Sequence, residues 1–240
     1  MDILNKIQLK QKDFYNNKPV TLVFLGDSVT QGCFECYFNA QDKLDTVYES
    51  DSAYSTVFLS MLRKLYPKVQ FNVINSGLSG DSAPNGLNRL ERDVFSFSPD
   101  LVVVAFALND ANRGKEGLQD YGKAIDDILS ALEDRGIESI ILTPNAMNTE
   151  ISYSLTDKRL QDLARRFAEI QNTGVLKTYV DEEKRIAQKH DVKVCDVYSD
   201  WEKLIKGGVN VTELLANKLN HPIRELHYYN AVKLLETMLS

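Results

Sequence analysis

The sequence has little of several residue types that often reveal a function on their own. Its 240 residues include three cysteines, three histidines and one tryptophan. Arginine and lysine number 28 against 34 aspartates and glutamates, so no large basic field is available for nucleic acid or an anionic membrane. No apolar run approaches the roughly 18–20 residues that a membrane-spanning helix requires. We therefore expect neither nucleic acid nor a membrane among its partners.

The segment 1–19 lacks the continuous apolar stretch and the small-residue cleavage site of a secretory signal peptide, which predicts a cytoplasmic protein. We expect this segment to be a helical N-terminal extension. With 43% hydrophobic residues the chain has enough apolar side chains for one core, so the sequence predicts a single domain over 1–240. Nothing in the pattern indicates an oligomeric state.

Cys33 and Cys36 form a C-x-x-C pair, but the sequence supplies no second cysteine or histidine pair at a spacing that would complete a zinc site. The odd cysteine count and the expected cytoplasmic setting also disfavour structural disulfides. We expect small buried thiols, with no metal and no cofactor.

Short runs rich in valine and isoleucine alternate with longer amphipathic stretches, which is typical of strands alternating with helices. Because several runs are apolar at consecutive positions, they suit strands buried on both faces of a parallel sheet. We predict an α/β fold: a three-layer α/β/α sandwich around a five-stranded, mostly parallel sheet. The predicted strands span 20–26, 69–75, 100–107, 138–144 and 192–198. The predicted helices span 52–66, 85–96, 118–136, 155–174, 175–190 and 223–239.

Polar or glycine-rich segments follow the first three predicted strands, and another precedes the last predicted helix. They read GDSVTQG from residue 26, NSGLSGDSAPNG from residue 75, LND from residue 108 and NHP from residue 220. Since ligand sites of open α/β sheets lie at the carboxyl ends of strands, we expect the four segments to share one rim. A serine, glycine-rich backbone, an asparagine and a histidine are sufficient for acyl transfer.

Four residues in these segments have the chemistry of a serine hydrolase. Ser28 follows a buried strand and a glycine corner, which would present its hydroxyl as a nucleophile. The Gly80 backbone amide and the Asn109 side-chain amide are candidate donors to an oxyanion. His221 is the candidate general base. The structural alternatives are helix capping for Ser28 and His221, and turn chemistry for Gly80 and Asn109.

The remaining histidines and the second Gly-Asp-Ser copy have simpler interpretations. His190 lies near a predicted helix C-terminus, where an imidazolium favours the helix dipole, and His227 is interpreted as a surface or packing residue. Ser82 is expected to cap or turn its loop.

These four blocks, in this order, resemble the SGNH hydrolases, also called the GDSL-like lipase and acylhydrolase family. The resemblance implies a flavodoxin-like topology. It also implies that Ser28 is the nucleophile, that His221 is the base, and that the backbone amides of Ser28 and Gly80 join the Asn109 amide in an oxyanion hole.

Two positions depart from the family pattern. Ala107 stands where the family's third block usually has glycine, and Lys218 stands three residues before His221, where the family has its acid. A lysine cannot accept the imidazole N–H. We expect the histidine to be oriented by Asn217, by Asp196 or by a backbone carbonyl within 217–219, or the protein to work as a Ser–His dyad.

Other segments are assigned supporting roles. Asp110 is expected to brace the loop after the third strand, and Arg89 and Arg92 to form ion pairs on a helix surface. We expect the segments 42–51 and 145–154 to wall the substrate pocket, with plain connecting loops as the alternative. Apolar and aromatic side chains expected there are Phe34, Tyr37, Phe38, Met147 and Tyr153.

The sequence thus predicts a serine hydrolase that cleaves carboxylic esters with short acyl groups through an acyl-enzyme. The expected substrate is a small-molecule ester, such as an acetylated carbohydrate. One alternative is a non-catalytic module that binds carbohydrate or another ligand, supported by Lys218. Another is a thioesterase or acyltransferase with the same residues.

Overall fold

Seven strands and ten α-helices make up the fold over residues 2–240, the part of the chain that this computed structural model describes. The strands are β1 (Val20–Gly26), β2 (Cys33–Phe38), β3 (Leu44–Tyr48), β4 (Phe71–Gly77), β5 (Leu101–Ala105), β6 (Glu138–Leu142) and β7 (Lys193–Cys195). The helices are α1 (Ile3–Lys12), α2 (Ser28–Gln31), α3 (Tyr54–Leu65), α4 (Ala83–Asn88), α5 (Leu90–Asp93), α6 (Leu118–Glu133), α7 (Lys158–Asn172), α8 (Val175–Lys189), α9 (Val197–Lys206) and α10 (Arg224–Leu239).

The central sheet has five parallel strands in the order β4-β1-β5-β6-β7, which confirms the predicted α/β fold and its five-stranded sheet. Counted along the chain, this is the 2-1-3-4-5 order of flavodoxin-like folds. Strand β1 lies between β4 and β5, and its residues 22–25 are fully buried. The consecutive apolar residues of β1 and β5 are explained by helices that cover both faces.

The helices divide between the two faces of the sheet. Because crossovers between parallel strands are almost always right-handed, α3, which connects β1 to β4, is expected on the face opposite the helices that connect β4 to β5, β5 to β6 and β6 to β7. Helix α10 packs against α3, whereas α6 packs against α4 and α8. The carboxyl ends of the strands therefore lie at one rim, between two helical layers.

The predicted helix 85–96 is broken into α4 and α5 at Arg89, which has φ −106° and ψ 8°. Two further predicted segments differ from the observed elements for local reasons. The predicted strand 192–198 ends at Cys195, because the Asp196 carboxylate accepts the Ser199 amide and begins α9. The segment 42–51 is not a plain loop, since it contains β3, which pairs with β2 in a two-stranded antiparallel ribbon outside the central sheet.

Helix α2 is seated directly on the ends of β1 and β4. Gly26 and Gly77 are paired across these strands. A Cβ at Gly26 would lie 2.1 Å from the Thr30 hydroxyl oxygen, and one at Gly77 would lie 2.2 Å from the Gln31 nitrogen. The Asp27 carboxylate caps the helix by accepting the Val29 amide at 2.9 Å. These contacts fix Ser28, the first residue of α2, at the rim.

Across residues 2–240, none of the helices combines the length and the apolarity that a bilayer crossing demands.

We predict that Gly77→Ala lowers the free energy of unfolding by about 1–3 kcal/mol, because the added methyl group meets rigid α2 backbone. Gly122→Ala is the matched control, since its methyl group meets only the flexible end of the Glu182 side chain and removes a helical glycine. Urea unfolding of the two variants measures the difference. Equal stability of both would contradict the tight seating of α2.

Candidate active site

Ser28 and His221 lie in contact although 193 residues separate them in the chain. The Ser28 hydroxyl oxygen is 2.9 Å from His221 Nε2. Ser28 is placed by the seating of α2, and His221 by the loop that enters α10. Both side chains are buried, so the contact is shielded from bulk water.

The other ring nitrogen of His221, Nδ1, lies 2.8 Å from the carbonyl oxygen of Phe34. A carbonyl oxygen only accepts, so Nδ1 carries the ring hydrogen and Nε2 presents a lone pair to Ser28. Burial lowers the pKa of His221 to about 4, although the Phe34 carbonyl and the Glu35 carboxylate oppose that shift. At pH 7 the ring is therefore neutral, in the tautomer that accepts the Ser28 proton.

The structure corrects the residues expected to orient His221. Asn217 makes no hydrogen bond to the ring: its side-chain oxygen accepts three backbone amides, including that of His221 at 3.0 Å. Asp196 binds Lys184 and Ser199 instead. The Lys218 ammonium forms an ion pair with the Glu213 carboxylate. The partner is a backbone carbonyl, as one alternative held, but it comes from residue 34 rather than from 217–219.

Gly80 occupies the second central position of a four-residue turn. The Asp81 amide donates to the Leu78 carbonyl at 3.1 Å, and Gly80 has φ +78°, as in a type II turn. A Cβ at Gly80 would meet nothing within 4 Å, so backbone conformation rather than space requires glycine. The Ser79 amide donates to Gln31 Oε1 at 2.7 Å, which ties this turn to the last residue of α2.

Asn109 and Asp110 hold the loop after β5 against this turn. Asn109 Nδ2 donates to the Asp81 carbonyl at 2.9 Å, which leaves the second amide hydrogen available. The Asp110 carboxylate accepts the amides of Ala83 and Ala107, so it braces the loop as predicted. Ala107, at the position where the family usually has glycine, has φ +91°, a conformation that favours glycine.

Arg89 is a buried residue rather than the helix-surface residue that the sequence suggested. Its guanidinium donates to the Asp81 carboxylate at 2.7 Å and to the carbonyls of Gly26 and Ser76 at 2.9 and 2.7 Å. It therefore holds the ends of β1 and β4 together.

Burial raises the pKa of the neighbouring Asp27 to about 7.

A cleft of about 200 Å³ opens over Ser28, Gly80, Asn109 and His221. The ribbon β2–β3 forms one wall and α7 another. Its apolar and sulfur-containing lining residues are Cys36, Leu44, Tyr48, Leu163, Phe167 and Leu219. The segment 42–51 therefore walls the cleft as expected, whereas 145–154 does not: Met147 is buried and Tyr153 is 93% exposed, away from the lining.

The remaining candidate residues lie apart from the contact between Ser28 and His221. Ser82 directly precedes α4, and its hydroxyl makes no capping hydrogen bond. His227 is a buried packing residue. The three cysteines carry free thiols, and within residues 2–240 no group of three or more histidine, cysteine or acidic side chains is arranged to hold a metal ion.

A family model of GDSL-like lipases and acylhydrolases matches residues 24–227, most of the chain. The chain belongs to this family. Among curated relatives of the GDSL-like chain is an acetylxylan esterase from Geobacillus stearothermophilus, 28% identical over 92 residues, which span 38% of this chain and 40% of that relative.

Solved structures share the GDSL-like fold at low sequence identity. The acetylxylan esterase Axe2 from Geobacillus stearothermophilus superposes with a TM-score of 0.65, 21% identity, and coverage of 91% of this chain and 94% of that one. LAE5, an alpha/beta hydrolase from the metagenome of Lake Arreo, Spain, gives a TM-score of 0.66, 20% identity, and coverage of 91% and 94%.

Some residues of this GDSL-like site carry no sequence signal. The Phe34 carbonyl is a backbone atom, and its position depends on a ribbon that the periodicity did not reveal. Gln31 lies in the quoted GDSVTQG segment, but its bond to the Ser79 amide depends on how β4 meets α2. Only the three-dimensional fold brings these groups to Ser28 and Gly80.

We predict that a histidine NMR titration separates the three rings. His221 stays neutral down to about pH 5, and so does His227, whose pKa burial lowers to about 3. For His190 partial burial opposes the shift, but hydrogen bonds to Asp126 and Glu133 raise the pKa, so its ring is charged at pH 6. Single histidine variants assign the signals, and a His221 signal that titrates near pH 6.5 would contradict the buried neutral ring.

Proposed function

We propose that this GDSL-like protein is a carboxylic ester hydrolase in which Ser28 is the nucleophile and His221 the general base. The observation that carries the proposal is the 2.9 Å contact from the Ser28 hydroxyl to Nε2 of a neutral imidazole whose Nδ1–H is held by a carbonyl. A nucleophile, a base within hydrogen-bond reach and an orienting group are the parts that serine hydrolysis requires.

In the proposed reaction, His221 Nε2 takes the Ser28 proton as Oγ attacks the ester carbonyl carbon. The resulting oxyanion is held by the backbone amides of Ser28 and Gly80 and by the Asn109 side-chain amide. Within residues 2–240 neither of these backbone amides donates to another protein group. Each such donor typically contributes about 3–4 kcal/mol to the transition state.

The tetrahedral intermediate then collapses, and the imidazolium gives its proton to the departing alcohol. Water attacks the acyl-enzyme with His221 again as base, which releases the carboxylic acid and returns the proton to Ser28. The Phe34 carbonyl holds Nδ1–H throughout and faces the positive charge as it forms. In this proposal a carbonyl replaces the acid of the usual triad.

The cleft favours a small acyl ester carried by a polar alcohol, such as an acetylated sugar. Its volume of about 200 Å³ encloses a small acyl group better than a long acyl chain. Tyr48, 55% exposed at the rim, offers a flat apolar face, while Asp45 and Thr46 offer hydrogen-bonding groups. The relatives named acetylxylan esterases support this substrate class.

We predict that Ser28→Ala and His221→Ala each lower kcat/KM for p-nitrophenyl acetate by at least about 10³-fold, because each removes one half of the proton-transfer pair. Ser82→Ala is the matched control and keeps the wild-type rate. A fluorophosphonate should label the peptide that contains Ser28.

Equal rates in the wild type and both variants would instead indicate a ligand-binding module without catalysis. Labelling at Ser82 would overturn the assignment of the nucleophile. Product analysis with added alcohol or with a thioester distinguishes hydrolysis of esters from the acyltransferase and thioesterase alternatives.

We also predict that Gly80→Ala lowers kcat by about 100-fold, because a residue with a Cβ disfavours φ +78° and favours a flipped Ser79–Gly80 peptide. Gly80→Asn should lose less, since asparagine tolerates this conformation. Gly136→Ala is the control: Gly136 has φ +63°, equally open space, and a place outside the cleft. A kcat unchanged in Gly80→Ala would exclude this amide from the oxyanion hole.

A further inference from the structure

The Phe34 carbonyl belongs to a ribbon that is not part of the central sheet. Strands β2 and β3 pair only with each other, and an isolated two-stranded ribbon is marginally stable in water. The 2.8 Å contact with His221 Nδ1 therefore requires something that fixes the start of β2 relative to the loop of His221.

Arg224 makes that connection from the first turn of α10. Its Nη1 and Nη2 donate to the two carboxylate oxygens of Glu35 at 2.8 and 3.1 Å. Its Nε donates to Glu49, just after β3, at 2.6 Å. Its guanidinium also lies over the Phe34 ring, 4.3 Å from the centroid. One side chain thus holds both strands at the open end of the ribbon, opposite its turn, together with the residue that supplies the carbonyl.

Arg224 and the histidine belong to the same short segment, which runs from His221 through one proline into α10. The ring of His227, one helical turn later, packs against Phe34 with a centroid separation of 4.8 Å. Phe34 is fully buried between these contacts. His221 and the carbonyl of Phe34 are therefore both positioned by the first turns of α10 and the segment that enters it.

We propose that Arg224 is a positioning residue that does the work of the missing triad acid indirectly, by fixing the Phe34 carbonyl against His221 Nδ1. The expected effect of Arg224 on catalysis rests on the proposed function, whereas its effect on the position of the Phe34 carbonyl does not. Arginine suits the role because its planar guanidinium binds one carboxylate with two parallel bonds and still donates to a second through Nε. A lysine offers no such fork.

The test compares Arg224→Met and Arg224→Lys with Arg159→Met. Arg159 is a matched control because it also binds the ribbon, through an ion pair with Asp42 and by stacking over Phe38 with its guanidinium 3.5 Å from the ring centroid. It has no contact with Phe34. Loosening the ribbon at that end should leave the carbonyl in place.

Two measurements are made on each protein. With p-nitrophenyl acetate, Arg224→Met should lower kcat about 10- to 100-fold with KM within about threefold, the size expected for a misplaced catalytic group. In nitrogen-15 NMR, the His221 Nδ1–H signal should lose its hydrogen-bonded shift and exchange faster with water. Arg224→Lys should fall between the wild type and Arg224→Met, and Arg159→Met should match the wild type in both measurements.

An unchanged Nδ1–H signal in Arg224→Met would overturn the inference, whether kcat falls or not, because Arg224 would then act otherwise. If Arg224→Met does not fold, as judged by circular dichroism, the lysine variant gives the same comparison. The NMR measurement requires no turnover. If the wild-type protein had no Ser28-dependent esterase activity, only the proposed function would be contradicted. A displaced His221 Nδ1–H signal in Arg224→Met would still support the positioning role of Arg224.

Discussion

The absence of a Cβ at two paired positions is the constraint on which the rest of the site depends. Gly26 and Gly77 end adjacent strands, and a methyl group at either would collide with α2. Because α2 can lie directly on both strand ends, its first residue, Ser28, faces the cleft. Its last residue, Gln31, reaches the Ser79 amide of the turn that presents Gly80. One short helix therefore sets the spacing between the hydroxyl and the amide that the proposed reaction needs together.

Much of the fold followed from the sequence because its signals are local or strongly periodic. The consecutive apolar residues of β1 and β5 indicated a parallel sheet covered on both faces, and long amphipathic helices such as α6 and α8 began and ended close to their predicted bounds. His221 lies in the loop before α10, but the placement of Ser28, Gly80 and Asn109 at one rim followed from a topological rule, that carboxyl ends of parallel strands share one rim. That rule needs no knowledge of loop geometry.

The rest could not be predicted because it depends on backbone atoms and on distant packing. A carbonyl such as that of Phe34 has no residue type that marks it, and the ribbon that carries it reads as an irregular loop. Arg89 looks like a surface residue by spacing, yet the junction of β1 and β4 encloses it among carbonyl oxygens. The sequence indicates Gly80 for close approach of its backbone, whereas the structure requires glycine there for its φ of +78° and leaves open space around a Cβ.

Replacing a carboxylate by a carbonyl changes the balance of the proposed reaction rather than abolishing it. A peptide carbonyl offers a dipole in place of a full negative charge, so the imidazolium of His221 gains less from its partner, although burial strengthens each interaction that remains. The pKa of about 4 makes His221 a weaker base for Ser28 and a stronger acid toward the leaving group. In the proposed reaction such a ring suits esters whose alcohol must be protonated as it departs.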